Sequence, residues 1–353
     1  MSLLTPELEG SIEEVLDRAM RSRRRVGLAV GVLADGEERT WARGRTGAAA
    51  GDGTPDARTI FEIGSITKVL TALVLADMAV REQVGLDDPV REHLPPSARV
   101  PSRDGREITM AQLATHTSGL PRLPAGLPKL VFRDRPGGPY AGQSAEKVLA
   151  GLAGTRLKRA PGERFAYSNL GGALLGLALA WRAGCGYETL VRERVCDPLG
   201  MVDTRIEVPT ADRPRLAQGH SWWRARPVSA WDLDGLAGAG GLRSTVADML
   251  RFLRANLGAA PAGLAQAVEL THRTRVQASK RVALGLGWVV APRGMAGSAM
   301  YWHNGGTGGF RSFVGLVEAS GTAVVALANS GRSVDRLGVR ILKLLDAAGG
   351  RQG

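Results

Sequence analysis

The sequence predicts a mixed α/β protein of the α+β type: one antiparallel sheet built from both chain ends, helices flanking that sheet, and a mainly helical lobe. Three observations support this prediction. Strand-like segments lie near both termini, a helix-like segment lies outside them at each end, and the middle alternates apolar helical stretches with loops rich in proline and glycine. With 353 residues, the chain can bury a core of this size without disulfides or a structural metal.

The N-terminal elements are predicted to be a helix and a β-hairpin. Residues 6–22 carry apolar side chains at helical spacing, and residues 26–33, VGLAVGVL, are typical of a buried strand. Residues 34–37 have the composition of a turn, so residues 39–45 are predicted to form the returning strand.

The C-terminal elements mirror this arrangement. Residues 284–291 and 311–317 are predicted strands, and residues 318–321 are a predicted turn that leads into a returning strand at 322–329. Residues 333–347 repeat apolar side chains at helical spacing, which predicts a closing helix. The two terminal helices are expected to cover one face of the sheet.

We expect a single domain over residues 1–353 that consists of two lobes. The sheet lobe combines residues 1–65 with residues 256–353, and residues 66–255 form the mainly helical lobe. This division follows from the position of the predicted strands, which are confined to the two ends of the chain.

The composition narrows the class of protein. Hydrophobic residues are 44% and charged residues 23% of the chain, which is typical of a globular protein. The net charge of +12 comes from scattered arginines with no recognition helix or zinc spacing, so it favours anionic substrates and not nucleic acid. Cys185 and Cys196 form no disulfide framework, and no His or Cys pattern has ligand spacing, so we expect no metal and no cofactor.

The location is predicted to be cytoplasmic. The first residues, MSLLTPELEGSIEEVLDRAM, place acids where an export signal needs positive charge followed by an apolar core. No segment is long and apolar enough to cross a bilayer, so no membrane partner is expected. The oligomeric state is not predicted by the sequence.

The segment FEIGSITKVL, residues 61–70, carries a serine and a lysine one helical turn apart. From Ile66 to Asp77 the chain is apolar on nearly every face, so this helix is predicted to be buried. Ser65 stands at its start, where a capping hydroxyl is favoured, and Lys68 shares a face with it. Burial lowers the pKa of a lysine, and a neutral amine can take a proton from a hydroxyl, so the pair predicts an activated serine.

Ser-x-x-Lys is by itself a weak pattern, because serines that cap helices are common. A second copy occurs at Ser144 and Lys147, between a loop and a short apolar stretch. We interpret this copy as an ordinary helix cap followed by a solvated lysine. Other motifs must therefore decide which serine is reactive.

Two such motifs lie further along the chain. Tyr167 and Asn169 belong to its only Tyr-x-Asn, at a predicted junction between a loop and a helix. His303 begins its only His-x-Gly, which precedes the predicted strand at 311–317. Each residue has an ordinary structural interpretation, as a half-buried aromatic, a helix cap or a strand histidine. The ordered combination favours a catalytic site.

This ordered set resembles the serine β-lactamase and penicillin-binding-protein superfamily. The resemblance is closest to the class C β-lactamase-like branch, which also holds esterases, D-aminopeptidases and transacylases. Three further stretches also resemble sequences of this branch. They are LATHTSGLP at 113–121, DPLGMVDTR at 197–205 and GAGGLRSTVADMLRFL at 238–253. The resemblance covers nearly the whole chain and implies the β-lactamase/transpeptidase-like fold.

The resemblance also implies the roles of individual residues. Ser65 would be the nucleophile that forms an acyl-enzyme, and Lys68 would be its general base or proton relay. Tyr167 would pass protons to the leaving group and activate the acceptor, and Asn169 would hold Lys68 and the substrate amide.

The third motif would complete the site. His303 occupies its first position, and the backbone amides of Ser65 and Gly306 would form the oxyanion hole. Gly305 would leave room for the substrate along the strand edge. The loop at 219–241 contains three tryptophans, and from it we predict Trp222 and Trp223 as substrate-binding residues.

His303 is a departure from the β-lactamases, which usually carry lysine there. A histidine is mostly neutral at pH 7 and reaches less far, so we expect weaker binding of penicillin-like carboxylates. The function predicted first is hydrolysis of a small ester or amide through acyl-Ser65, with esters as the more generic substrate. The alternatives are transacylation to an amine or alcohol in natural-product biosynthesis, β-lactamase or D-amino-acid peptidase activity, and a non-catalytic binding protein.

Overall fold

A computed structural model describes residues 3–47, 52–124, 136–295 and 297–349 of the chain. The helices within these ranges are α1 (Pro6–Met20), α2 (Thr67–Val80), α3 (Met110–Ala114), α4 (Ala145–Ala153), α5 (Asn169–Ala183), α6 (Tyr187–Val191), α7 (Asp197–Leu199), α8 (Ala237–Gly240), α9 (Val246–Arg254), α10 (Ala262–His272) and α11 (Asp335–Gly349).

The strands within the same ranges are β1 (Gly27–Ala34), β2 (Glu37–Gly44), β3 (Phe61–Glu62), β4 (Arg243–Ser244), β5 (Val276–Ser279), β6 (Val282–Leu284), β7 (Val289–Met295), β8 (Ser298–Gly306), β9 (Arg311–Val317) and β10 (Thr322–Ala328). In the described chain, eight of them form one sheet in the order β2-β1-β10-β9-β8-β7-β6-β5. All neighbours in this sheet are antiparallel. The prediction of one antiparallel sheet built from both chain ends is therefore confirmed.

The two faces of the sheet pack against different layers. Val30 and Val32 of β1 face the terminal helices α1 and α11, whereas Ala29 and Leu33 face the core shared with the helical part of the chain. This alternation follows from the two-residue period of a strand that is buried on both sides. The terminal helices thus cover one face, as predicted.

The segment predicted as one strand at 284–291 is instead a hairpin. β6 ends at Leu284 and β7 begins at Val289. Between them, Gly287 adopts a φ of +73°, and an added Cβ would lie 2.8 Å from the Cβ of Ala72 on α2. The chain therefore turns where α2 comes close, and a glycine permits both the conformation and the contact. No bounds were predicted for β5 or β8, although Gly305 was expected at a strand edge. β8 ends in the motif Asn304-Gly305-Gly306, which lacks a strand pattern.

Helices α2 to α10 lie between β3 and β5 in the chain, interrupted only by the short strand β4 within the described residues. Helix α2 is central to this helical part, because it contacts α5, α8 and α10 and is buried along nearly its whole length. The short β3–β4 pair joins the residues just before α2 to those just before α9. None of the helices within the described ranges is long and apolar enough to span a membrane.

Candidate active site

Ser65 lies in a 3₁₀ turn, Gly64–Ile66, that leads directly into α2. The prediction that its hydroxyl caps the helix is wrong, because no side chain caps the start of α2. The amide of Thr67 instead bonds to the carbonyl oxygens of Gly64 and Ser65 within the turn. The Ser65 hydroxyl is thereby left for another partner.

That partner is Lys68, whose side chain is only 4% exposed. Its Nζ lies 3.1 Å from Ser65 Oγ and 3.0 Å from Asn169 Oδ1, and it also donates to the carbonyl oxygen of Ala239. Burial lowers the pKa of Lys68, and the nearby Arg122 guanidinium lowers it further. Interaction with Tyr167 raises this pKa but does not cancel the effect of burial.

The three partners constrain the protonation of the amine. The oxygens of Asn169 and Ala239 can only accept, so two N–H groups of Lys68 point at them. A neutral amine then has one lone pair left, and Ser65 is the only one of the three partners that can donate a proton to it. The geometry suits removal of the Ser65 proton by Lys68.

The Tyr-x-Asn motif lies where the loop enters α5. Ser168, between the two motif residues, is the actual helix cap: its Oγ accepts from the amide of Gly171 at 2.8 Å and donates to the carbonyl of Pro121 at 2.7 Å. These bonds fix the junction, so Asn169 reaches Lys68 and the Tyr167 ring centre lies 5.0 Å from Lys68 Nζ.

Two residues that the sequence did not single out as site residues flank Tyr167. The ring of His116 lies 4.3 Å from the Tyr167 ring, and its Nδ1 accepts from the amide of Ser168 at 3.3 Å. Burial, with smaller effects of Lys68 and His303, holds the pKa of His116 well below its usual value, so this nitrogen is free to accept. The Arg122 guanidinium lies 5.5 Å from the Tyr167 ring centre. Only the position of both residues in or just after the matching stretch LATHTSGLP could have indicated them.

The third motif ends β8, which abuts the turn that holds Ser65. A Cβ added to Gly305 would lie 2.0 Å from the carbonyl oxygen of Ile63 and 3.0 Å from the amide nitrogen of Ser65. A Cβ added to Gly64 would lie 2.6 Å from the amide nitrogen of Gly306. The glycines therefore allow the strand and the turn to touch, and this contact brings the amides of Ser65 and Gly306 together.

His303 is buried, and its ring centre lies 6.4 Å from that of Tyr167. Its Nδ1 lies 2.6 Å from the carbonyl oxygen of Asn304, so Nδ1 carries the proton and donates it. Burial, with a smaller effect of the nearby Lys68 charge, lowers the pKa of His303 to about 4. The third motif thus presents a neutral side chain at pH 7.

The low pKa of His303 predicts a pH-dependent stability. The ordinary pKa of a histidine is 6.5. Between pH 6.5 and 4, His303 therefore binds more protons in the unfolded chain than in the folded one. The contribution of the neutral His303 to stability is lost as the pH falls through this window. We expect His303→Gln to reduce the loss of stability between pH 7.5 and 4.5 by on the order of 2 kcal/mol. Urea unfolding of both proteins at the two pH values measures this, and an equal loss in both would contradict it.

A narrow cavity of about 30 Å³ lies beside Ser65. Its lining includes Asn169, Gly306, Tyr140 and Trp231. Most of the predicted site residues thus meet here: Ser65, Asn169 and Gly306 line the cavity, Lys68 bonds to two of them, and Tyr167 stands over Lys68.

Trp222 and Trp223, the predicted substrate-binding residues, do not line this cavity. The segment around them closes on itself through a bond from the amide of Ser221 to the carbonyl oxygen of Arg226. Their exposed fractions are 59% and 55%, and Arg24 lies over the Trp223 ring. The tryptophan of this loop that lines the cavity is Trp231.

The second Ser-x-x-Lys copy is a helix cap, as predicted. Ser144 Oγ accepts from the amide of Lys147 at 3.5 Å at the start of α4, and Lys147 Nζ donates to the carbonyl of Gly142 at the surface. No group of three or more His, Cys, Asp or Glu side chains among the described residues could hold a metal ion.

Comparison with known proteins identifies the family. The model of the β-lactamase family matches residues 12–348. The chain is 30% identical to the D-alanyl-D-alanine-carboxypeptidase/endopeptidase AmpH of Escherichia coli K12, over 88% of this chain and 82% of that protein. It is 28% identical to a β-lactamase of the same organism, over 77% of this chain and 76% of that protein.

Solved structures agree in fold. A class C β-lactamase superposes with a TM-score of 0.82 at 22% identity, covering 96% of this chain and 95% of the other. A β-lactamase/D-alanine carboxypeptidase from Pseudomonas syringae gives 0.80 at 21% identity, covering 96% and 98%. The fold is thus that of the class C β-lactamases, and the chain belongs to the β-lactamase family as a serine hydrolase of the β-lactamase-like superfamily.

Proposed function

We propose that the protein cleaves a small amide, either a D-alanyl peptide bond or a β-lactam, through an acyl-enzyme on Ser65. The assignment of Ser65 as the nucleophile rests on the buried amine of Lys68. Its Nζ lies 3.1 Å from Ser65 Oγ, and its one remaining lone pair faces this hydroxyl. The choice of an amide rests on the relatives, whose names are those of D-alanyl peptidases and β-lactamases.

In the acylation step, Lys68 takes the proton of Ser65 as Oγ attacks the carbonyl carbon of the substrate. The carbonyl oxygen becomes an oxyanion, and the amides of Ser65 and Gly306 donate to it. Tyr167 passes a proton to the departing nitrogen, so the C–N bond breaks and the amine leaves neutral. The cation of Lys68 beside Tyr167 favours this proton transfer, because it stabilises the phenolate.

In the second step, water takes the place of the amine. Tyr167, now a phenolate, removes a proton from water, and the hydroxide attacks the acyl carbon. The Ser65 Oγ then leaves and recovers its proton from Lys68, which restores the starting state. Asn169 holds the amine of Lys68 throughout, through the 3.0 Å bond to its Oδ1.

The neutral His303 narrows the expected class of substrate. Because burial holds its pKa at about 4, the third motif supplies no cation for a substrate carboxylate at pH 7. We propose that a free terminal carboxylate adds little to binding, so an internal or blocked D-alanyl bond is cleaved about as well as a terminal one.

A substrate panel tests the proposal. The purified protein is incubated with a D-alanyl-D-alanine peptide, the same peptide with its terminus amidated, a chromogenic cephalosporin and p-nitrophenyl acetate. We expect cleavage of at least one amide. We also expect the kcat/KM values of the two peptides to lie within about threefold of each other, because the neutral His303 forms no ion pair with a carboxylate that amidation could remove. Turnover of the ester with no amide cleaved would overturn the proposal in favour of the ester hydrolysis that the sequence first favoured.

Transfer to another acceptor is measured in the same reactions. Added amine or alcohol yields an amide or ester product of known mass if the acyl group is transferred, whereas hydrolysis yields only the free acid. Dominance of the transfer product would favour transacylation, and absence of any covalent Ser65 adduct would favour a non-catalytic binding protein.

A further inference from the structure

Trp222 and Trp223, which do not line the cavity beside the nucleophile, lie at the tip of a tight turn. The amide of Ser221 donates to the carbonyl oxygen of Arg226 at 2.8 Å, and the amide of Arg226 donates to Ser221 Oγ at 3.1 Å. Both tryptophans between these residues are more than half exposed. Two neighbouring indoles left in water form an apolar surface, which is typical of a contact with another body.

The turn is fixed to the end of the large sheet. The carbonyl oxygen of the buried His220 accepts from the amide of Gly331 at 2.8 Å, and His220 Nδ1 lies 3.0 Å from the carbonyl oxygen of Asn329, which follows β10. A Cβ added to Gly331 would lie 2.7 Å from the Cβ of Trp222, so the glycine allows this close approach. The two indoles are therefore held in place by the sheet.

Exposed arginines from three parts of the chain adjoin the two rings. Two of them belong to the turn, one follows Gly331, and one precedes β1, with its guanidinium 5.3 Å from the centre of the Trp223 ring. We call the exposed residues of this surface the tryptophan–arginine patch: Trp222, Trp223, Arg24, Arg224, Arg226 and Arg332.

The positive charge of the patch is not balanced by nearby acids. Within the part of the chain that the structure describes, none of its four arginines forms an ion pair, whereas Arg39 and Arg43 on β2 both pair with acids of α1. The neighbouring Arg25 is buried, and burial, followed by the charge of Arg332, lowers its pKa to about 10. The patch is thus complementary to an anionic partner.

The arrangement of the rings favours a lipid surface over a nucleic acid. Trp222 and Trp223 meet edge to face, with ring centres 5.3 Å apart, and the Arg24 guanidinium lies over the Trp223 ring. Nucleic-acid bases stack on open ring faces, and these contacts cover such faces. Indoles beside arginines instead suit the interface of an anionic bilayer, where the indole lies among the headgroups and the guanidinium binds phosphate.

We propose that the tryptophan–arginine patch docks the protein on a membrane surface rich in anionic phospholipid. The expectation of no membrane partner followed from the lack of a spanning segment, and a contact at the interface needs none. The patch lies outside the residues proposed for catalysis, so vesicle binding does not depend on the acyl-Ser65 function.

Sedimentation with lipid vesicles tests this. The purified full chain is mixed with vesicles of phosphatidylcholine alone, or of phosphatidylcholine with an equal amount of phosphatidylglycerol, at low and at high salt. We expect at least about tenfold stronger binding to the anionic vesicles at low salt, because each arginine near such a surface strengthens binding about fivefold. High salt should remove most of this difference, since it screens the charges.

Variants of the patch identify the contact. Trp222→Ala combined with Trp223→Ala should weaken binding to anionic vesicles by at least about tenfold, since two indoles no longer leave water. Arg224→Gln combined with Arg226→Gln should weaken it mainly at low salt. Trp181→Ala is the matched control, because it removes a similarly exposed tryptophan from α5, and it should leave binding unchanged. Thermal unfolding of each variant establishes that it is folded.

Three results would overturn the proposal. The first is an absence of vesicle binding, or equal binding to both kinds of vesicle. The second is a loss of binding in Trp181→Ala as large as in the double tryptophan variant. The third is binding of a single-stranded oligonucleotide or of polyglutamate that the double tryptophan variant loses, without vesicle binding, which would identify a nucleic acid or an acidic protein as the partner.

Discussion

Ser65→Ala is expected to abolish covalent labelling by a fluorophosphonate. It should also reduce the rate of amide hydrolysis to that of the reaction without an acyl-enzyme. The Ser65 hydroxyl is the one group within 3.1 Å of the buried amine that can become a nucleophile. Because it caps no helix, its loss removes no bond on which α2 depends. We therefore expect the midpoint of thermal unfolding to stay close to that of the unsubstituted protein.

Ser144→Ala is the matched control for this experiment. Ser144 has the same spacing to its lysine, but its hydroxyl accepts from the amide of Lys147 at the start of α4. The substitution should lower the free energy of unfolding by about 1 kcal/mol and leave labelling intact. Labelling retained in Ser65→Ala, or lost in a folded Ser144→Ala, would show that the nucleophile is assigned to the wrong serine.

Lys68→Met is expected to lower the rate of Ser65 acylation by at least about 100-fold, which is the lower end of what a positioned general base contributes. Methionine has a similar length and fills the buried space, but it has no lone pair that can take the proton. Lys68→Arg should not restore the rate, because a guanidinium stays protonated at any working pH. Stopped-flow measurement of acyl-enzyme formation gives the rates directly.

The pH dependence distinguishes a base from a mere structural lysine. Burial lowers the pKa of Lys68, so its active neutral form is populated at a pH below the value of 10.5 that an exposed lysine needs. The acylation rate should rise with pH and level off below pH 10.5, and Lys68→Met should remove this limb. Lys147→Met, at the exposed second copy, should keep both the rate and the limb, and the reverse outcome would contradict the assignment.

Several parts of the fold could be predicted because they depend on local pattern. β1 and β2 follow the buried-strand and turn compositions of residues 26–45, and β9 has the predicted bounds, 311–317. The hairpin between Leu284 and Val289 could not be predicted, because its apolar residues continue through the turn. What decides that turn is the approach of Ala72 on α2 to Gly287, a contact between residues more than two hundred positions apart.

The sequence by itself determined the residue types of the site and their order, because they belong to three short local patterns. These patterns contain Ser65 and Lys68, Tyr167 and Asn169, and His303. Only the tertiary structure decided which hydroxyl meets a buried amine, and which tryptophan lines the cavity beside it. Both depend on burial and on contacts over long distances in the chain: Lys68 reaches Asn169 and Ala239, and Trp231 is held by Glu62. Local patterns fix the available side chains, whereas desolvation, which sets their reactivity, depends on how the whole chain packs.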